Sequence, residues 1–195
     1  MKTNRLEAFS DGVFAIIITI MVLELKVPHD PGIKALQPLL PVFFTYVLSF
    51  VYLGIYWNNH HHLLKTCHQI SGGIMWANLH LLFWSSLLPF VTGWMGENHF
   101  QPVPSALYGG VLLMAAIAYL NLQSLIIRVH GRDSALARAI GSDRKGKLSL
   151  VLYAIAIGIS FFKPWIAGCI YIGVALIWLI PDRRMEKVLN SSSTG

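Results

Sequence analysis

The sequence predicts an all-α membrane protein of six transmembrane helices with both termini cytoplasmic, and three observations predict it. Of 195 residues, 55% are hydrophobic and only 12% charged, whereas a soluble domain carries about 25% charged residues; polar surface is too scarce to cover a water-facing globule. Apolar stretches recur along nearly the whole chain, and most approach the roughly 20 residues that cross about 30 Å of hydrocarbon. The basic residues fall almost entirely on one side of those stretches.

Apolar runs and their breakers place crossings at 5–26, 38–58, 73–95, 104–128, 147–163 and 165–181. Pro28, Pro31 and Gly32 break the chain after the first, Pro38 and Pro41 fit the opening turns of the second, and Pro102 and Pro104 introduce the fourth. Lys163 and Pro164 leave so short a connection that the last two helices form an antiparallel hairpin. The runs are too long for the roughly 10-residue strands of a barrel. Residues 1–190 are read as a single six-helix domain, and 191–195 as a flexible tail or expression remnant. Cys67 and Cys169 read as isolated thiols, so a disulfide scaffold is excluded.

With the N-terminus inside, Lys2, Arg5, Lys65, Arg128, Arg132, Arg138, Arg144, Lys145, Lys147, Arg183, Arg184 and Lys187 are cytoplasmic. That is twelve of the 15 Lys and Arg, leaving Lys26, Lys34 and Lys163 outside. The net charge of +6 thus calls for anionic inner-leaflet lipid rather than nucleic acid. Trp57 and Trp76 at the inner level and Trp94 and Trp165 at the outer fit the aromatic belts of a membrane protein. Glu7 and Asp11 interrupt the first apolar stretch, which argues against a cleavable signal peptide.

That first helix is unusual. Its mostly apolar run extends only over 12–23, a span of roughly 18 Å, so Arg5, Glu7, Ser10 and Asp11 must share the crossing. Intramembrane charges face protein or water rather than lipid. At 100° per residue, Gly12, Ile16, Thr19, Ile20 and Leu23 share one side, continued by Phe9 and Arg5, while Glu7, Ser10 and Asp11 point to the other. The stripe suits either ordinary packing within the subunit or the wall of a narrow pore, and periodicity does not choose between them. The polar face is either a hydrogen-bond node or an ion-coupling carboxylate at Asp11.

The run Arg5-Leu6-Glu7-Ala8-Phe9-Ser10-Asp11 resembles the R-x-x-x-F-S-D signature opening the first helix of the transmembrane protein 175 family, the lysosomal potassium channels and their bacterial homologues. Further similarity lies in Trp57-Asn58-Asn59-His60 with Leu63, in Trp76-Ala77-Asn78-Leu79, and in Leu88-Pro89-Phe90; beyond residue 95 only the helix count agrees. The resemblance implies a homotetramer in the cell inner (plasma) membrane, four first helices around a central pathway, and potassium permeation with modest preference over sodium. No enzyme activity and no cofactor other than the permeant potassium ions are implied. Transferred by position, the constriction falls on Ile16, with Thr19 and Leu23 as further layers. Ser10 and Asp11 then resemble a structural bracket to His60, Trp76 and Asn78. No T-V-G-Y-G-like carbonyl filter segment is present.

Other readings compete. His60, His61 and His62 diverge by about 100° each on a helix, which opposes a shared metal, and a haem would draw on His60 and His80. Ser85 and Ser86 are expected to satisfy backbone groups freed by Pro89, and Gly109, Gly110, Gly158, Gly168 and Gly173 to permit close helix approach. A secondary transporter or proton-coupled carrier using Asp11 or Glu24 is the alternative function; the lack of an internal repeat and the scarcity of intramembrane carboxylates oppose it.

Overall fold

The computed structural model describes residues 3–67, 69–131, 134–141 and 143–179. Lys2, His68, Arg132, Arg183, Arg184, Lys187 and the tail 191–195 lie outside them. The chain is helical throughout its regular structure: α1 (Thr3–Met21), α2 (Leu40–Lys65), α3 (Gly72–Ser86), α4 (Leu88–Glu97), α5 (Pro102–His130), α6 (Ala135–Ile140), α7 (Arg144–Ser160) and α8 (Pro164–Leu179). A 3-10 turn at Val22–Glu24 extends α1, and another at Ile33–Leu39 leads into α2.

Among the described residues, four rods are long and apolar enough to cross a membrane: Thr3–Glu24, Ile33–Lys65, Gly72–Glu97 and Pro102–His130. With α7 and α8, of 17 and 16 described residues, they make six rods in the expected order. α7 falls short of the roughly 20 residues a span requires, and its first turn carries Arg144, Lys145 and Lys147.

Local chemistry sets the boundaries. Ser71 caps α3 by accepting from the Ile74 amide, and Ser134 caps α6 by accepting from the Ala137 amide. Asp143 caps α7 through the Gly146 amide and also accepts from the Gln123 side chain of α5 at 3.1 Å, tying the two helices together. Pro102 opens α5, where its missing N–H costs nothing.

Two boundaries differ from the sequence expectation. The second crossing does not stop at 58; α2 runs through the polar 57–62 segment to Lys65, since His60 is buried in the bundle and Leu63 and Leu64 follow it into the core. The third crossing is interrupted at Leu87, two residues before Pro89, and resumes as α4. The Ser85 and Ser86 hydroxyls do not bond the Ser85 carbonyl to which Pro89 cannot donate; that carbonyl accepts from the Leu87 amide. They donate back to Leu81 O at 2.9 Å and Phe83 O at 2.7 Å, because a helical serine reaches carbonyls three or four residues earlier.

Behind α1, the core joins α2, α4, α5 and α8 through buried hydroxyls directed at partners, as a bilayer core that supplies no water requires. Thr92 donates to Ser49 at 2.7 Å, Ser49 pairs with Tyr108 at 3.0 Å, Tyr52 donates to Tyr171 O, and the Tyr171 hydroxyl donates to Ser105 O. Gly109 makes that last arrangement possible: a Cβ there would stand 2.1 Å from the Tyr171 hydroxyl and 3.0 Å from Ile157 Cγ1. At neighbouring Gly110 nothing lies within 4 Å.

Gly109→Ala is therefore expected to destabilise the protein by about 1–3 kcal/mol through overpacking, while Gly110→Ala is neutral within about 0.5 kcal/mol in the subunit. Thermal midpoints of the two variants in the same detergent check this; equal midpoints would show that the Tyr171 contact is not limiting.

Candidate functional site: the two faces of the first helix

The inner face of α1 is built from Leu6, Ser10, Phe14, Ile17 and Met21, all buried. Ser10, 0% exposed, anchors a directed chain of hydrogen bonds. His60 Nε2 of α2 donates to Asn78 Oδ1 of α3 at 2.6 Å, Asn78 Nδ2 donates to Ser10 Oγ at 3.0 Å, and Ser10 donates to Leu6 O at 2.9 Å. The carbonyl at the end of the chain accepts only, so every proton upstream has one direction. The edge of Phe14 closes over His60, ring centroids 5.7 Å apart.

Beside this chain, α1 and α2 share a second clasp. Asp11 accepts from Trp57 Nε1 at 2.9 Å, and Glu7 meets His61 Nδ1 at 2.6 Å. Trp57 and His61 stack, with centroids 6.3 Å apart and planes at 22°. Each helix supplies two groups four residues apart, the spacing that puts them on one face.

The sequence-predicted bracket is thus assembled from Ser10, Asn78 and His60, with Asp11 attached to Trp57 instead of Trp76. Trp76 is 76% exposed. It stands two residues, about 200°, from Asn78 on α3, so the face that carries Asn78 inward carries Trp76 out. The sequence places Trp57 in the aromatic belt and in the Trp57-Asn58-Asn59-His60 resemblance without assigning it to Asp11, and it leaves His61 without a partner; the shared spacing of Glu7 with Asp11 and Trp57 with His61 was the available signal. The two haem candidates are engaged separately, His60 by Asn78 and His80 by the Trp84 indole N–H at 2.9 Å.

Because the polar face is turned in, the stripe is turned out. Ile16 is 57%, Ile20 46%, Leu23 75% and Phe9 52% exposed, and Arg5, Gly12 and Thr19 are exposed with them. The subunit therefore leaves the stripe uncovered. Thr19 donates its hydroxyl proton to Ile16 O at 2.9 Å, which leaves its oxygen lone pairs facing outward. Alongside runs an open groove of about 620 Å³ between α1 and α4, lined by Val13, Ile16, Ile17 and Ile20 on one side and Pro89, Phe90 and Trp94 on the other. Glu24 closes its far end, lying so near Gly93 that a Cβ there would meet its carboxylate at 2.5 Å. Lys26 bonds Glu97 just beyond.

Comparison with known proteins places these elements. The family profile described as endosomal/lysosomal potassium channel TMEM175 matches residues 5–89, which contain the stripe and both clasps. A potassium channel of Chryseobacterium is 56% identical over 192 residues, covering 98% of this chain and 100% of that protein. A potassium channel of Streptomyces collinus is 35% identical over 126 residues, 60% of this chain and 61% of the relative. The crystal structure of a lysosomal potassium-selective channel TMEM175 homolog from Chamaesiphon minutus superposes with a TM-score of 0.80 at 28% identity, covering 92% of this chain and 97% of that one.

Asn78→Leu leaves the His60 Nε2 donor without its partner inside the bundle, while Ser10 keeps its bond to Leu6 O, so a loss of about 1–3 kcal/mol is expected. Trp57→Phe removes one bond to the partly exposed Asp11 and should cost less. Thermal unfolding of both variants ranks the two clasps, and the opposite order would show that the buried chain is not the stronger anchor.

Proposed function

This chain belongs to the TMEM175 family, and from that premise we propose that four copies assemble with their α1 helices around an axis to form a potassium-permeable cation channel. The observation that carries the reading is the exposure of the Gly12–Ile16–Thr19–Ile20–Leu23 stripe on a helix whose opposite face is fixed by buried hydrogen bonds. A mostly aliphatic face with one hydroxyl gains little from lipid that core packing would not also give; a ring of four copies uses both the aliphatic layers and the hydroxyl.

Helix geometry indicates what such a ring does. Neighbouring helices 8–10 Å apart put each helix axis about 6–7 Å from the centre of a fourfold ring, and a Cα cylinder of about 2.3 Å leaves roughly 4 Å of radius. Four isoleucine side chains fill that space, whereas four glycines leave it open. In this reading Gly12 forms a vestibule, Ile16 a hydrophobic constriction that excludes water when tight, and Ile20 and Leu23 further apolar layers. Thr19, with its lone pairs directed outward, offers the cation oxygen ligands beside the constriction and favours potassium modestly over sodium.

The proposal extends to the rest of the unit. Residues 1–190 form one domain of six crossings in the cell inner membrane with both termini cytoplasmic, holding no resident cofactor, with potassium as cargo. Ser10, Asp11, His60 and Asn78 act by positioning α1, and Arg5 and Phe9 stand at its N-terminal mouth. A carrier mechanism through Asp11 gains no support from a carboxylate already engaged by Trp57.

In proteoliposomes, the wild type should dissipate a potassium gradient without counter-transport, in proportion to voltage. Ile16→Asn should raise the leak about tenfold, the change that roughly 1.4 kcal/mol off the barrier gives; unchanged flux would reject Ile16 as the constriction. Thr19→Val should bring the potassium and sodium permeabilities together, and an unaltered ratio would remove Thr19 from selectivity.

A further inference from the structure

Glu7 belongs to the second clasp of α1, and its partner there is an imidazole. Its carboxylate meets His61 Nδ1 at 2.6 Å on the N-terminal side of the molecule, with both side chains partly exposed to solvent. One proton between Nδ1 and the carboxylate is required at that distance, and a second proton on the ring turns this charge-assisted hydrogen bond into an ion pair. The pair carries one negative charge before that step and none after it.

His61 is the imidazole that meets the Glu7 carboxylate directly. From α1, Glu7 and Asp11 face the α2 segment, Asp11 already bonded to Trp57. On α2 itself stand His60, whose Nε2 is held by Asn78, His62, whose ring lies edge-on to His61 at 5.7 Å, and Lys65, one turn beyond His61; α7, which packs against α2 at Tyr52, begins with Arg144, Lys145 and Lys147. The one titratable side chain of α3 is His80, taken by Trp84. That of α4 is Glu97, at the opposite end with Lys26. α5 ends in Arg128 and in His130, whose Nε2 accepts from the Gln69 amide. α8 brings no Asp, Glu, Lys, Arg or His among its described residues.

We infer that the Glu7–His61 pair is a proton-operated charge valve at the N-terminal mouth of the channel: protonation of His61 cancels the Glu7 charge in all four subunits and lowers the supply of cations from that side. This rests on the tetrameric pore proposed above. Histidine ordinarily gains its proton between pH 5 and 8. Glu7 sits on the α2 side of α1, so the fourfold geometry sets each pair about 15 Å from the axis. Four unit charges at that distance change the local cation concentration roughly threefold at about 0.01 M salt, where the Debye length is about 30 Å. At about 1 M salt the length is about 3 Å and the effect vanishes.

The test is unitary potassium current in planar bilayers, with pH changed on one side at a time. In about 0.01 M salt, current entering from the N-terminal side should fall roughly threefold between pH 8 and pH 5.5, and the fall should disappear at about 1 M. His61→Gln should hold the high level at both pH values. Glu7→Gln should show at pH 8 the current that the wild type shows at pH 5.5, and it carries the same information should His61→Gln fail to fold. A pH response that survives His61→Gln, or persists at high salt, overturns the valve while leaving the channel intact. Absence of potassium current in the wild type at every pH overturns both.

Discussion

Inside a bilayer, hydrophobicity does not decide which side of a helix faces its own subunit, because lipid tails are as apolar as a leucine core. Hydrogen bonding does. Exchanging Ile17 for Ile16 against protein changes little, but turning Ser10 out would strand the Asn78 side-chain amide, at about 1–3 kcal/mol for an unsatisfied buried group, while the His60–Asn78 bond between α2 and α3 would stay. The chain His60–Asn78–Ser10–Leu6 therefore sets the rotation of α1. Thr19, nine residues after Ser10, is about half a turn round the helix from it, and it is carried to the outside with Ile16 and Leu23. The exposed stripe is a consequence of the buried polar chain on the opposite face.

That logic explains which parts of the molecule could be read from sequence. The division of α1 into two faces needs only 100° per residue, and Ser10 and Ile16 fall where the wheel puts them. The partners of the polar face require the rotation of other helices. Asn78 and Trp76 are close in sequence, yet only one can point inward, and nothing in the local pattern says which. Polar residues 57–62 read as a helix end because polarity usually marks water; His60 is instead buried by its bond to Asn78, and the helix continues to Lys65. α6 and the Asp143 cap of α7 were not foreseen, since a six-residue helix between two long ones leaves no hydropathy signal.

The packing behind α1 differs in kind from the packing of α1 itself. Tyr52, Tyr108 and Tyr171, fully buried and cross-linked through Ser49, Thr92 and the Ser105 carbonyl, bind α2, α4, α5 and α8 into one scaffold. The approach at Gly109 is too close to admit a methyl group. Interiors packed to this density transmit displacement instead of absorbing it.

The side-chain polar bonds between α1 and that scaffold gather toward its two ends. Near the start are the two clasps, through Ser10 with Asp11 and Glu7; past the far end, Lys26 holds Glu97 while Glu24 lies against Gly93. Between them, Phe14, Ile17 and Met21 pack inward, but Ile16 and Ile20 border the open groove toward α4. The hydroxyl in that stretch, Thr19, bonds within its own helix. A sideways movement of α1 at Ile16 therefore breaks none of the side-chain bonds that hold its ends, and it has a groove of about 620 Å³ to move into. The constriction proposed at Ile16 lies in that stretch, while Ser10, six residues earlier, fixes which way the stripe faces.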